Sequence, residues 1–343
     1  MSMPEHYLIT VALHAAVLSA VVFLVIVLLR KPQRIAVTAL CGTLAVAILP
    51  WISAMGYRQH ADPDESVSAP LSAVTRLPQW KVIHIPIEEE TLTASPAPAK
   101  PPGAIAMPKL HQGALAARIW ALGSTVVLIS LIMAAAKVLR WRRTLADPDD
   151  IAWQALREAE PHLPARRHFR ISAGDGSPCV AGFFMPVVVI PRFLLDPAKR
   201  RELGWALRHE LRHLQGSDSR WTIVLEALRV SQWWNPFVHV LISRWKMARE
   251  HICDLAASED DRATYGEFLI AMAAKTAPRH RLAVTMVRRQ RLHSLKARIV
   301  TVLSAAPGTV TKLEKSVLFS ACAAFTGAAL MISCVRIGAT RHD

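Results

Sequence analysis

The sequence predicts an α-helical membrane protein, with four transmembrane helices and a cytoplasmic, mainly helical α+β domain. Three observations predict it. Four uncharged apolar runs are each long enough to cross about 30 Å of hydrocarbon as a helix: Leu8–Leu29, Ile35–Met55, Ile119–Ala136 and Ser316–Val335. Basic residues cluster beside particular ends of those runs. The long stretch between the third and fourth runs combines a short β-branched run with amphipathic helices.

The first run follows a leader holding Glu5 and no Lys or Arg, and it exceeds the ~7–15 residues of a signal-peptide core. It therefore reads as a retained span. Arg30, Lys31 and Arg34 follow it with no acid in the link to the second run, which places that link in the cytoplasm. Residues 57–113 balance five positive against six acidic side chains, as suits the outer side. Lys137, Arg140, Arg142 and Arg143 follow the third run and bring the chain back inside. Both termini are then extracytoplasmic.

The outer loop 57–113 ends in the Pro-rich run Ser95–Lys109, which reads as extended chain. Lys81–Ile87 alternates as a short strand. The segment 137–315 holds 30 Lys and Arg against 18 Asp and Glu, a net of +12. It lacks helix-turn-helix and zinc-finger spacing, so the excess reads as a surface against anionic lipid, with no direct nucleic-acid partner. The five cysteines, 41, 179, 253, 322 and 334, form no C-x-x-C pair. That excludes a disulfide framework and a cysteine-only zinc site.

The chemistry lies in LLDPAKRRELGWALRHELRHLQGSD. Asp196-Pro197 reads as a helix start and Gly216 as its stop. Between them lies His209-Glu210-Leu211-Arg212-His213, an H-E-x-x-H. Histidines at i and i+4 share one helix face and reach the same tetrahedral metal. Glu210 stands beside them as a general base. A third ligand is needed, and three options can be read. A histidine six residues past His213 is absent, because position 219 is Ser219. His251 has no supporting spacing. Glu250 lies on a second helix begun by Asn235-Pro236 and pairs at i, i+4 with Asp254. Glu250 completes the metal in this reading, and Asp254 accepts a hydrogen bond from the outer N–H of a ligand histidine. The run Val187–Ile190 reads either as a core strand or as an edge that pairs with an extended substrate.

HELRHLQGSD, then WWNP, then EHICD, behind three N-terminal spans, resembles the BlaR/MecR-type membrane zinc metallopeptidases, bacterial transducers of beta-lactam signals. Residues 177–191 also resemble the strand region before that family's active-site helix. The resemblance covers residues 1 to about 335 and is strongest from 177 to 257. It implies a zincin-like metallopeptidase domain with one Zn2+ per chain. His209, His213 and Glu250 would be ligands, Glu210 the catalytic base, and Asp254 a second-shell partner. Asp218 matches a family acidic position without an assigned role. Eight residues follow the fourth run, too few for the C-terminal penicillin-binding sensor of the best-known members.

The expected organisation is two transmembrane helices (1–56), an extracytoplasmic loop (57–113), a third span (114–139), the zinc metallopeptidase domain (140–315), a fourth span (316–335) and a short outer tail (336–343). The implied function is regulated cleavage, in the bacterial inner membrane, of a protein: a transcriptional repressor, the chain itself, or both. The basic segment Arg279–Arg298 would be a coupling element, a self-cleavage site or a lipid-facing surface. A homo-oligomer is compatible. The rival readings are a quality-control zinc protease for membrane proteins and a non-proteolytic receptor or scaffold with structural zinc.

Overall fold

A computed structural model describes residues 3–58, 112–174, 176–275, 285–305, 323–325 and 327–329. Among them, three helices are long and apolar enough to cross a membrane, with windows Thr10–Leu28, Pro32–Leu49 and Arg118–Arg142. They belong to α1 (Met3–Leu28), α2 (Pro32–Arg58) and α3 (Gln112–Arg142). Uncharged apolar runs of this length become helices because hydrocarbon offers the backbone no other hydrogen-bond partner. The expected strand at 81–87 lies outside the described residues, as does most of the expected fourth span, of which 323–325 and 327–329 are helical.

α1 and α2 pack as a hairpin around small residues. A Cβ on Gly42 would collide with Val22, so glycine allows the close approach. Ser19 and Thr43 return their hydroxyls to the carbonyls of Ala15 and Ala39, each at 2.6 Å.

Beyond α3 the chain forms α4 (Asp150–Ala159), capped by Asp149, whose carboxylate accepts from the Ala152 amide at 2.7 Å. A three-stranded sheet follows, of β1 (Phe169–Ser172), β2 (Cys179–Ala181) and β3 (Val187–Pro191), in the order β1-β3-β2. β1 runs parallel to β3, pairing Phe169 with Val188, and β2 runs antiparallel to it, pairing Val180 with Val188. β3 is therefore paired on both sides and wholly buried. Of the two readings of Val187–Ile190, the core strand is correct and the substrate-pairing edge is not. The edge is β2.

Five more helices follow: α5 (Arg200–Gln215), α6 (Asp218–Ser231), α7 (Pro236–Ala257), α8 (Arg262–Lys275) and α9 (Thr285–Ser304). Asp196 caps as expected, but it caps a 3-10 turn, Pro197–Lys199, and the α-helix begins at Arg200. Asn235 caps α7 by accepting from the Phe237 amide at 3.1 Å.

Two apolar clusters organise these elements. One joins the sheet to α5 and α8 through Phe169, Val188, Ile190, Leu203, Leu207, Tyr265 and Phe268. The other joins α1 and α2 to α6 and α7 through Leu18, Val22, Val46, Leu225, Leu241 and Trp245. This second cluster runs across residue 140, where a domain boundary was expected.

Candidate metal centre

α5 and α7 pack against each other and bring three donors to one point. Val238, Leu241, Trp245, Ala248 and Ile252 commit one face of α7 to the second apolar cluster. The opposite face carries Glu250 toward α5. His209 and His213, one turn apart, face it.

His209 Nε2 and His213 Nε2 are 3.2 Å apart. Glu250 Oε1 lies 3.5 Å from His213 Nε2, and Oε2 lies 3.7 Å from His209 Nε2. Donors held about 2.0–2.1 Å from one tetrahedral centre stand about 3.3–3.4 Å apart. The three thus trace one face of such a tetrahedron, and they form a possible metal-binding group.

Carboxylates behind the histidines fix the direction of their lone pairs. His213 Nδ1 meets Asp218 Oδ2 at 2.7 Å, and His209 Nδ1 meets Asp254 Oδ1 at 3.1 Å. With both Nδ1 hydrogens committed there, both Nε2 lone pairs face the same small space. A shared cation, proton or metal, relieves that opposition, so the donor set fits a divalent ion. A second possible group, His213, Asp218 and Cys253, fits less well. Asp218 already accepts from His213 and pairs with Arg249 Nε at 2.7 Å, and burial pushes the Cys253 thiol well up.

Burial and charge set the protonation of the cluster's own side chains. Burial alone lowers His209, but its bonds to Asp254 and Glu250 outweigh this and hold it at about 10. Burial raises Glu250, yet the His209 bond and the Arg298 charge bring it down to about 2. Burial pushes Glu210 above the ordinary carboxylate range, and the charges of His209 and His213 offset part of that. A raised carboxyl holds a proton more readily, as an acid–base group requires. Glu210, His209, His213 and Glu250 all line one cavity of about 1820 Å³. β2, with its neighbours Ser177, Pro178, Gly182 and Phe183, lines another side.

The family model described as BlaR1 peptidase M56 matches residues 8–302. The chain belongs to that family. It is thereby a membrane metallopeptidase by descent. Comparison with curated proteins gives no match.

In this M56 peptidase the structure gathers every site residue singled out in the sequence: His209, Glu210, His213, Glu250 and Asp254. His251 does not join them. Three further residues belong to the cluster. Asp218 gains a role through the turn at Gly216-Ser217, where Ser217 is left-handed at φ 54. A Cβ on Gly216 would collide with Arg249, so glycine lets that guanidinium reach Asp218. Tyr265 donates its hydroxyl to Asp254 Oδ1 at 2.8 Å. Arg298, from α9, binds Asp254 through Nε at 2.7 Å and Nη2 at 2.6 Å, and Glu250 through Nη1 at 3.1 Å. No sequence spacing points to Arg298, because it lies 44 residues beyond Asp254 on another helix. Asp218, five residues past His213, is marked by the family resemblance, and the structure supplies the role that the sequence left unassigned.

Proposed function

We propose that this chain is an inner-membrane zinc metalloendopeptidase and a signal transducer, cutting a cytoplasmic protein such as a transcriptional repressor, itself, or both. The observation that carries the reading is the convergence of His209, His213 and Glu250 beside a buried Glu210 in one open cavity. His209, His213 and Glu250 would hold the ion, and a set of three protein donors lining an open cavity suits a catalytic rather than a four-donor structural site. Zinc held there supplies Lewis acidity, which acidifies water and polarises a peptide carbonyl.

The protein's own residues do the rest. Asp254 and Asp218 keep the Nδ1 hydrogens of His209 and His213 in place. Arg298 holds Asp254 and Glu250 in register from α9. Glu210 takes a proton from the attacking water on its carboxylate and delivers it to the leaving amide nitrogen. The free edge of β2 offers backbone groups to an extended substrate.

The test uses the full chain purified in detergent. One zinc per wild-type chain, little in His213→Ala, and retained zinc without peptide cleavage in Glu210→Gln are expected. Wild-type cleavage by Glu210→Gln, or folded wild type that binds no zinc, overturns the reading. Comparing new protein N-termini in cells expressing wild type or Glu210→Gln then identifies the substrate. A single transcriptional regulator supports signalling, whereas many membrane proteins would replace it with quality control.

A further inference from the structure

The α6–α7 hairpin carries the metal-site residues Asp218 and Glu250 at its base, and its tip is buried among the candidate spans. At the tip, Asn235 is fully buried and its amide nitrogen donates to Ser19 Oγ at 3.3 Å. Ser19 stands near the middle of the window Thr10–Leu28. On the other side, Trp233 packs so closely on α3 that a Cβ on Gly123 would collide with its ring. Trp120 Nε1 donates to the Ser231 carbonyl at 3.0 Å, and Trp233 Nε1 donates to the Trp120 carbonyl at 3.2 Å.

The reach fits the membrane. α6 has 14 residues, about 21 Å at 1.5 Å per residue, which is roughly two-thirds of a hydrocarbon core of about 30 Å. The surface chemistry fits as well. Toward the tip, the exposed positions Val224, Ala227, Pro236 and Val240 are apolar, and the part-exposed cation there, Arg229, is paired with Glu226, whereas exposed Arg220, Ser243, Arg244 and Lys246 lie toward the base. Between the metal site and the tip, the buried Glu226 is paired with Arg229 at 2.6 Å and Lys246 at 2.8 Å, as the cost of charge in hydrocarbon demands.

We infer that α6–α7 is a re-entrant membrane hairpin whose distal half faces lipid acyl chains, continuous with the lipid-facing surface of α1–α3. The metal centre then sits at the cytoplasmic boundary of the bilayer. The inference builds on reading α1–α3 as spans and is independent of peptidase activity.

The experiment places an environment-sensitive fluorescent amino acid at position 224 or 240 of the full chain in lipid nanodiscs. Position 128 on α3 is the span control, and position 157 on α4, exposed in the structure, is the aqueous control. Quenching by doxyl-labelled lipid and by aqueous iodide is read at each. Positions 224 and 240 should follow 128, with lipid quenching several-fold above that at 157 and weak iodide quenching. Iodide quenching equal to that at 157 overturns the inference. Shielding from both quenchers also overturns it, because protein rather than lipid then covers the face. Loss of lipid quenching at 128 itself removes the spans, and the hairpin's membrane placement with them.

Discussion

Replacing Asp254 by asparagine keeps the side chain's shape and removes its charge. In the structure Asp254 is completely buried and accepts from His209 Nδ1 at 3.1 Å, Tyr265 at 2.8 Å and Arg298 at 2.6 and 2.7 Å. An asparagine oxygen still accepts from the imidazole, but as a neutral partner. Hydrogen bonds to charged groups contribute about 1.5–3 kcal/mol and neutral ones about 1, so the ligand histidine loses about 1–2 kcal/mol of support. At 1.4 kcal/mol per tenfold, zinc affinity should fall about 5–30-fold, near the lower end of the range for losing a partner behind a ligand. Asp218→Asn makes the same change behind His213 and leaves the Asp254–Arg298 pair intact. It therefore tests the argument even where Asp254→Asn folds poorly. The assay is competition for zinc with a fluorescent chelator, using detergent-purified full chain of native helix content. Unchanged zinc affinity in folded Asp218→Asn and Asp254→Asn would refute the reasoning.

Glu210→Gln should bind zinc with wild-type stoichiometry and lose at least about 100-fold in peptide cleavage, the scale of a lost general base, measured by peptide turnover alongside metal analysis. Arg298→Ala removes one partner of a buried ion pair, a change that costs about 3–5 kcal/mol in a dry site. With Arg298 one-fifth exposed, the lower end is expected. Thermal unfolding in detergent should show the loss, and Arg298→Lys should restore only part of it, because an ammonium cannot bind Asp254 through two nitrogens. A peptide carrying a lipid or transmembrane anchor beside its cleavable segment should be cut faster in nanodiscs than the same peptide free in solution. Equal rates would remove any advantage of a site at the bilayer boundary.

The sequence was most informative where one helix carries the whole pattern. His209 and His213 share a face because they lie four apart, and Glu250 and Asp254 do so for the same reason. Asn235-Pro236 marked a helix start because proline and a capping side chain act locally. What spacing could not show was partnership between distant helices. Arg298 reaches Asp254 from α9, and Tyr265 reaches it from α8. The strand at 187–190 was ambiguous for a related reason: a short apolar run looks the same whether it is paired on one side or two, and only the flanking β1 and β2 decide. The α6–α7 hairpin escaped notice because Arg220, Glu226, Arg229, Arg244 and Lys246 break its hydropathy. Glu226 is nevertheless paired with Arg229 on its own helix and with Lys246 across the hairpin.

α7 ties these features together. Along one stripe Val238, Leu241, Trp245, Ala248 and Ile252 interlock with α1 and α2. Along the other, Ser243, Met247 and Glu250 line the cavity, and Asp254 sits directly behind His209. A packed interface does not deform smoothly, because side chains at interior density must either keep their seats or shift together. Displacement of α1–α2 in the membrane must therefore carry α7 with it or open a gap beneath Trp245 and Ala248. The first outcome moves Glu250 relative to His209 and His213, whose positions are set by α5 and the sheet. Donor separations of 3.2–3.7 Å leave little tolerance for such movement, since a tetrahedral ion needs about 3.3–3.4 Å between donors. The helix that anchors the metal centre is thus also the one through which the membrane bundle bears on it.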